Sequence, residues 1–256
     1  MTNPIFSTYK SLATEFYDLE DHRDGARALP LFMAYAHAAP GPILEPMCGT
    51  GRFLIPIVQA GYDIEGFDAS ASMLAALRMK YAQFFDTQPP IWQSFIQDFA
   101  SEKRYSLIFV PYGSWGLITD KKESQQALAL MYQHLATKGR LVIEIETVHS
   151  VPMPCNVWRR GTHQAADGSL IIIDAFPTFD PKTQLYHALC HYEKKRDGTC
   201  IAKESENFTM YLYDFNEFDV MLSAAGFENI RKYQDHIKTP AADKTSPLLL
   251  YECIKN

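Results

Sequence analysis

From Ile43 onward the chain alternates between short apolar runs and amphipathic stretches, and this rhythm narrows the possible folds more than any other feature. Segments 43–45, 62–67, 91–96, 106–110 and 141–145 read as buried strands. Helices are expected between them over 52–60, 71–85 and 121–135. In the last of these, Asp120 and Glu123 have the spacing of a capping box, and Gly139 lies where a C-terminal stop belongs. Strands that alternate with helices build βαβ units, and such units stack into a parallel sheet covered on both faces.

The flanks follow other rules. Leu12, Phe16 and Leu19 fall at helical spacing, 26–39 is rich in helix formers, and Pro40-Gly41-Pro42 ends that region. Between 151 and 213 the Asp167-Gly168 and Asp197-Gly198 pairs, with Asp180-Pro181, mark reversals between β-rich runs. This predicts an antiparallel segment of three or four strands. A helical stripe of Phe218, Met221, Leu222 and Ala225 follows, with Asp214 and Glu217 at its start and Gly226 at its end. Segments 227–233 and 247–254 then close the chain as an antiparallel pair. The expected organisation is a helical cap over 1–40, a sheet domain over 41–150 and 214–256, and an antiparallel insertion over 151–213 serving as lid or dimer surface.

The richest text is Leu44-Glu45-Pro46-Met47-Cys48-Gly49-Thr50-Gly51-Arg52, a strand, a small-residue turn and a helix start. Gly49 and Gly51 let the backbone approach a ligand, and the helix start offers free N–H groups. In open parallel sheets, ligands bind beyond the strand C-termini, where this loop lies. The next strand ends in Asp68, whose carboxylate accepts from both hydroxyls of a ribose. Leu54 stands where a dinucleotide fingerprint needs its third glycine, and no Gly-Lys-Ser/Thr phosphate loop occurs. Glu45 repels a pyrophosphate and attracts a cation. A ribose joined to a cationic centre describes S-adenosylmethionine.

On these residues the sequence resembles the class I S-adenosylmethionine-dependent methyltransferases. Segment 44–52 is similar to their first motif, in the variant beginning with Glu, and segment 67–74, Phe67 to Leu74, to their second. Gln97-Asp98-Phe99 looks like the third, Leu107 to Tyr112 like the strand that ends beside the transferred methyl, and Glu15 to Leu19 like the helix that closes over the cofactor. The resemblance implies a Rossmann-like, doubly wound α/β fold with a mostly parallel seven-stranded sheet, a helical N-terminal cap and an antiparallel β insertion. It implies cofactor contacts at Tyr17, Glu45, Met47, Gly49, Gly51, Arg52, Asp68, Ala69, Met73 and Gln97. It further implies that Asp98 accepts from the adenine amino group, that Phe99 offers its backbone N–H and that Ile96 packs the ring. The sequence departs from the family at Met47, where many members have glycine, and at Ser106, where an aspartate often stands.

Methyl transfer from a sulfonium is an in-line displacement, so alignment and exclusion of water dominate, and a base is needed only for a protonated nucleophile. His149 and Tyr112 are the candidate catalytic residues, His149 because an imidazole suits a general base. Candidate substrate contacts are Tyr9, Ser114, Trp115, Glu146 and Trp158. Val110-Pro111-Tyr112 lacks the polar residue and second proline of amino-directed base methyltransferases. With a net charge of -6 and no long basic run, a small metabolite is expected as acceptor, methylated on N or O, and no nucleic acid. The insertion leaves a homodimer open. Five scattered cysteines without a CxxC pair argue against structural zinc and disulfides and for a reducing cytoplasm. The start of the chain lacks a secretory pattern, and no apolar run is long enough to span a membrane. The competing readings are a nicotinamide-dependent dehydrogenase and a non-catalytic protein that binds S-adenosylmethionine or its product.

Overall fold

A computed structural model describes residues 8–20, 23–240 and 244–256, with backbone alone at 23–26. Helices α1 (Ser11–Leu19) and α2 (Arg23–Ala38) precede β1 (Ile43–Pro46), α3 (Leu54–Gln59), β2 (Ile64–Asp68), α4 (Ala71–Tyr81) and β3 (Ile91–Gln93). Then come β4 (Tyr105–Val110), α5 (Lys121–His134) and β5 (Leu135–Glu146). The insertion holds β6 (Arg159–Gln164), β7 (Leu170–Asp180), β8 (Leu185–Arg196) and β9 (Thr199–Tyr211). The chain ends with α6 (Glu217–Ala224), β10 (Glu228–Tyr233) and β11 (Leu248–Ile254).

Seven strands form one sheet in the order β10-β11-β5-β4-β1-β2-β3. All its pairings are parallel except those of β11, which runs antiparallel to both β5 and β10. Because β1 pairs with β2 on one side and β4 on the other, the crossovers leave β1 in opposite directions. A crevice opens at such a switch point, at the C-terminal ends of the strands. The fold is the expected mixed α/β architecture, and β6 to β9 form a separate four-stranded antiparallel sheet.

Alternation along each strand sends side chains to two cores. Leu107 and Phe109 of β4 pack with Phe32 and Tyr35 of α2, Ile57 of α3 and Leu77 of α4. Ile108 and Val110 pack with Leu128 and Met131 of α5 and Phe218 and Leu222 of α6. Full burial of one such side chain contributes roughly 1.5–3 kcal/mol, so both helical layers are held firmly. A third cluster joins Leu12, Ala13 and Phe16 of α1 to Ile171, Ala188, Cys190 and Tyr192 of the antiparallel sheet.

The stretch expected as a single cap over 1–40 therefore divides. Its residues 1–7 and 21–22 lie outside the described residues. Helix α1 belongs to the antiparallel sheet, whereas α2 is a layer of the main sheet, with the Phe32 ring 5.1 Å from those of Phe53 and Phe109. Gly139 is not a helix stop. Helix α5 ends at His134 and passes directly into β5, and a Cβ at Gly139 would lie 2.7 Å from the Ala136 carbonyl oxygen and 2.9 Å from that of Tyr105. Close backbone approach, not helix termination, requires glycine there. The first of the two aspartate–glycine turns is as read, with Gly168 at φ 81°, and the second has Asp197 and Gly198 both left-handed.

Candidate functional site

The loop after β1 carries three left-handed residues, Met47 (φ 57°), Gly49 (φ 53°) and Gly51 (φ 82°). Met47 thus adopts the conformation that glycine adopts without strain, at a cost of order 1–3 kcal/mol that the surrounding structure must offset. The loop is tied to β2 by backbone bonds and by Asp68, which is 9% exposed. The Asp68 carboxylate accepts from the N–H of Gly49 and the N–H of Ser70, both at 2.8 Å. Each oxygen retains a lone pair for a further donor. Burial outweighs these bonds and pushes the Asp68 carboxyl up to about 6.

Next to it stands Glu45, 2% exposed, which accepts from the backbone N–H of Leu54 and is held well above the usual carboxylate range by burial and then by Asp68. Its Oε2 is buried with no hydrogen-bond partner, and so are both terminal nitrogens of Arg52. The Arg52 guanidinium lies between two rings, 4.6 Å from the centroid of Tyr17 and 4.5 Å from that of Tyr112. Tyr112 and Gly113 are consecutive left-handed residues after β4. The Tyr112 N–H donates to Glu144 Oε2 on β5, and the other oxygen of Glu144 pairs with His236.

Helix α1 closes this region from above the loops. Thr50 donates its hydroxyl to Asp18 at 2.6 Å, Lys80 of α4 pairs with the same carboxylate at 2.9 Å, and Ser70 donates to the carbonyl of Tyr9 at 2.8 Å. At its other end, Glu204 of β9 accepts from the N–H groups of Leu12 and Ala13 at 3.1 and 3.0 Å. An anionic side chain at a helix N-terminus satisfies free donors and opposes the positive end of the dipole. The same helix is therefore bonded to the glycine loop and to the antiparallel sheet.

These walls enclose a cavity of about 560 Å³. Of the residues expected to hold a cofactor, Tyr17, Glu45, Met47, Gly49, Arg52, Asp68, Ala69, Met73 and Gln97 line it. Gly51 does not. A Cβ there would lie 2.8 Å from Leu77 Cγ, so its glycine serves packing against α4. Asp98 is exposed at the end of a 3-10 turn, Ile96–Asp98, and points no contact into the cavity, which is lined instead by Phe95, Ile96 and Gln97 just before it. Phe99 is buried in a stack with Phe67, ring centroids 5.0 Å apart, and is a core residue.

Of the expected acceptor-side residues, Tyr9, Tyr112, Ser114 and Glu146 line the cavity. Trp115 is fully buried, donating to Ser124 at 2.9 Å and packing on Phe218, and so contributes core area. Trp158 lies on the exposed face of the antiparallel sheet, stacked on His191. His149 is exposed in a separate depression with Asp214, Phe215 and Lys244. The sequence reading missed Tyr186 of β8 and Phe208 and Met210 of β9, which form the opposite wall. Only the pairing register Tyr186↔Met210 and the side each strand turns to α1 would have found them.

The model for a methyltransferase domain matches residues 18–232, most of the chain. The chain belongs to the methyltransferase family. Its likeness to known members extends over both sheets. The methyltransferase is 26% identical over 143 residues to the dTDP-3-amino-3,6-dideoxy-alpha-D-glucopyranose N,N-dimethyltransferase of Streptomyces fradiae, a match spanning 53% of this chain and 54% of that relative. It thus aligns with about half the length of that curated relative. Among solved structures, the sugar N-methyltransferase KedS8 from Streptoalloteichus superposes with a TM-score of 0.73 at 19% identity, covering 94% of this chain and 92% of the other. An S-adenosylmethionine-dependent methyltransferase from Clostridium acetobutylicum superposes with a TM-score of 0.77 at 14% identity, covering 94% and 96%.

The methyl donor of this family is S-adenosylmethionine, and the site fits it. An orphaned buried acceptor on Glu45 and orphaned buried donors on Arg52 match the ammonium and carboxylate of an amino acid. Asp68 matches the two hydroxyls of a ribose. Among the described residues, no group of His, Cys, Asp and Glu is placed to hold a metal ion, and no helix is long and apolar enough to cross a membrane.

Proposed function

We propose that this methyltransferase acts on a nitrogen or oxygen atom of a small metabolite held between α1, the loop after β4 and the inner face of the antiparallel sheet. The observation that carries the reading is the composition of the cavity walls. One wall is the glycine loop with Glu45, Arg52 and Asp68; the other is Tyr186, Phe208 and Met210. A volume of about 560 Å³ falls in the range of small-molecule sites. That a relative methylates the amino group of a nucleotide-linked sugar supports nitrogen as the target.

In this reading the donor, when bound, supplies a sulfonium methyl for in-line displacement. Asp68 accepts from the ribose, Glu45 and Arg52 hold the amino-acid end, and Phe95 to Gln97 flank the adenine. Tyr17 and Tyr112 fix Arg52 by stacking on both of its faces, which costs little conformational freedom for a planar cation. The main sheet holds the donor, and α1 with the antiparallel sheet holds the acceptor and excludes water. The net charge of -6 and five free thiols support a small acceptor and a reducing, cytoplasmic setting over a nucleic acid and an oxidising one.

Calorimetry with S-adenosylhomocysteine, followed by a labelled-methyl assay on a panel of amino and hydroxy metabolites, tests the proposal. Tight binding of the product and label transfer to a small acceptor are expected. Failure of wild-type protein to bind S-adenosylhomocysteine would remove the site assignment, and transfer to nucleic acid alone would remove the substrate class.

A further inference from the structure

The charge of the cavity is lopsided. Among the described residues, its lining carries five carboxyl side chains, Glu20, Glu45, Asp68, Glu123 and Glu146, against one cationic side chain, Arg52. Glu45, Asp68 and Arg52 are matched by the donor. Glu146 is placed differently. It ends β5, the neighbour of β4, and its carboxyl lies against Gly113, where a Cβ would come within 3.0 Å of Oε1 and 2.9 Å of Cγ. Glycine at 113 therefore leaves room for this carboxyl beside Tyr112. The Ser150 hydroxyl, which donates to the Thr147 carbonyl at 2.8 Å, lies beside the carboxyl, and burial pushes the acid upward from its ordinary range. The ionisable group facing it from the antiparallel sheet is Tyr186 of β8, an aromatic phenol and not a cation. No ion pair joins Glu146 to a Lys or Arg among the described residues.

We propose that Glu146 is the ammonium subsite of the acceptor pocket, and that it takes the proton an amine must lose before methylation. The inference rests on the methyl-transfer reading and names the substrate class for that cavity: a protonated primary or secondary amine. A half-buried carboxylate without a partner of opposite charge gains from a ligand that brings one, and the ring of Tyr186 in the same cavity favours a cation further. A hydroxyl, whose proton is held about as tightly as that of water, cannot give it up fully to a carboxylate before it attacks. An ammonium can, and raising the carboxyl narrows the gap between the two groups.

The step balances. An acceptor R–NH3+ passes one proton to a Glu146 oxygen, which leaves a neutral amine and a neutral carboxyl. The nitrogen lone pair forms the new N–C bond as the C–S bond breaks, its electron pair stays on sulfur, and the positive charge moves to the product ammonium. Glu146 returns its proton to water as the product leaves.

The test uses protein saturated with S-adenosylhomocysteine and two probes of one shape, choline and 3,3-dimethylbutan-1-ol, the second with carbon in place of the charged nitrogen. Binding is followed by NMR titration. Wild type is expected to bind choline at least about tenfold more tightly, corresponding to about 1.4 kcal/mol, and Glu146→Gln to show no preference. Calorimetric affinity for S-adenosylhomocysteine should be the same in both proteins, which separates loss of the subsite from loss of the fold. The wild-type preference should also fade on acidification, as the carboxyl takes its proton. Equal binding of the two probes by wild type, absence of choline binding, a preference that survives in Glu146→Gln, or one that is independent of pH would overturn the proposal. Failure of wild type to bind S-adenosylhomocysteine would overturn the methyltransferase site itself.

Discussion

On the proposed reading Asp68 serves structure and ligand together. Its two oxygens tie Gly49 to Ser70 and so hold the glycine loop against the second strand. Burial raises its carboxyl to about 6, so the folded chain keeps this proton to higher pH than the unfolded chain does. That contribution to stability is present in acid and is lost as pH rises from about 4 through 6. Donor binding has the opposite sign. On the proposed reading, ribose hydroxyls would donate to the ionised form and lower its pKa, so binding should release a proton and tighten as pH rises through 6. We expect affinity for S-adenosylhomocysteine to be about tenfold weaker at pH 5 than at pH 7.5. Calorimetry in buffers of different ionisation enthalpy measures both effects. In Asp68→Asn, affinity should fall and the dependence through pH 6 should vanish; a variant with wild-type pH dependence would show that another group titrates.

At the scale of elements, α1 is the piece whose placement matters most. It has nine residues, too few to be stable as an isolated helix, and it is held by bonds to the antiparallel sheet at one end and to the glycine loop and α4 at the other. Glu204 supplies two charge-assisted bonds to its N-terminus and Asp18 fastens its last turn to Thr50 and Lys80. Glu204→Ala should weaken α1 docking by about 1.5–3 kcal/mol, leaving the main sheet intact. Hydrogen exchange is the direct readout: amides of α1 should exchange roughly ten- to a hundredfold faster, with β4 and β5 unaffected. Equal protection of α1 in variant and wild type would mean that the Leu12, Ala13 and Phe16 contacts suffice alone.

For the whole molecule, the consequence is coupling across the cavity. On the proposed reading the donor meets the loops of the main sheet and the underside of α1, whereas the opposite wall of the cavity is built on β8 and β9. S-adenosylhomocysteine should therefore slow exchange in 8–20, 47–52 and 111–118 and raise the unfolding midpoint, with about 2.7 kcal/mol of added stability at a ligand concentration a hundred times Kd. The strands of the antiparallel sheet should gain protection chiefly at the ends that meet α1. Uniform protection of both sheets would show that they open as a single unit.

Periodicity and glycine placement made the main sheet and its first loop legible before any coordinates. Strand runs, Gly49, Asp68 and the chain reversals are local signals, because each is imposed by the backbone conformation or burial of its own segment. Registers and side-chain directions across segments are not local, and there the reading diverged. Trp115, Phe99 and Gly51 had the right chain positions but face cores, while Asp98 and His149 lie one turn or one loop away from the cavity. At Gly139 a close approach between the adjacent strands β4 and β5 calls for the same residue type as a helix stop, and the sequence alone does not tell the two apart. The amino-acid order thus determined the α/β class, the glycine loop and the acid that follows it. Only the packing of α1 onto the antiparallel sheet decided which aromatic residues form the cavity wall opposite the glycine loop and which carboxylate shares that cavity with them. A strand's own pattern fixes which residues share a face, but the partner covering that face is chosen by contacts far apart in the chain.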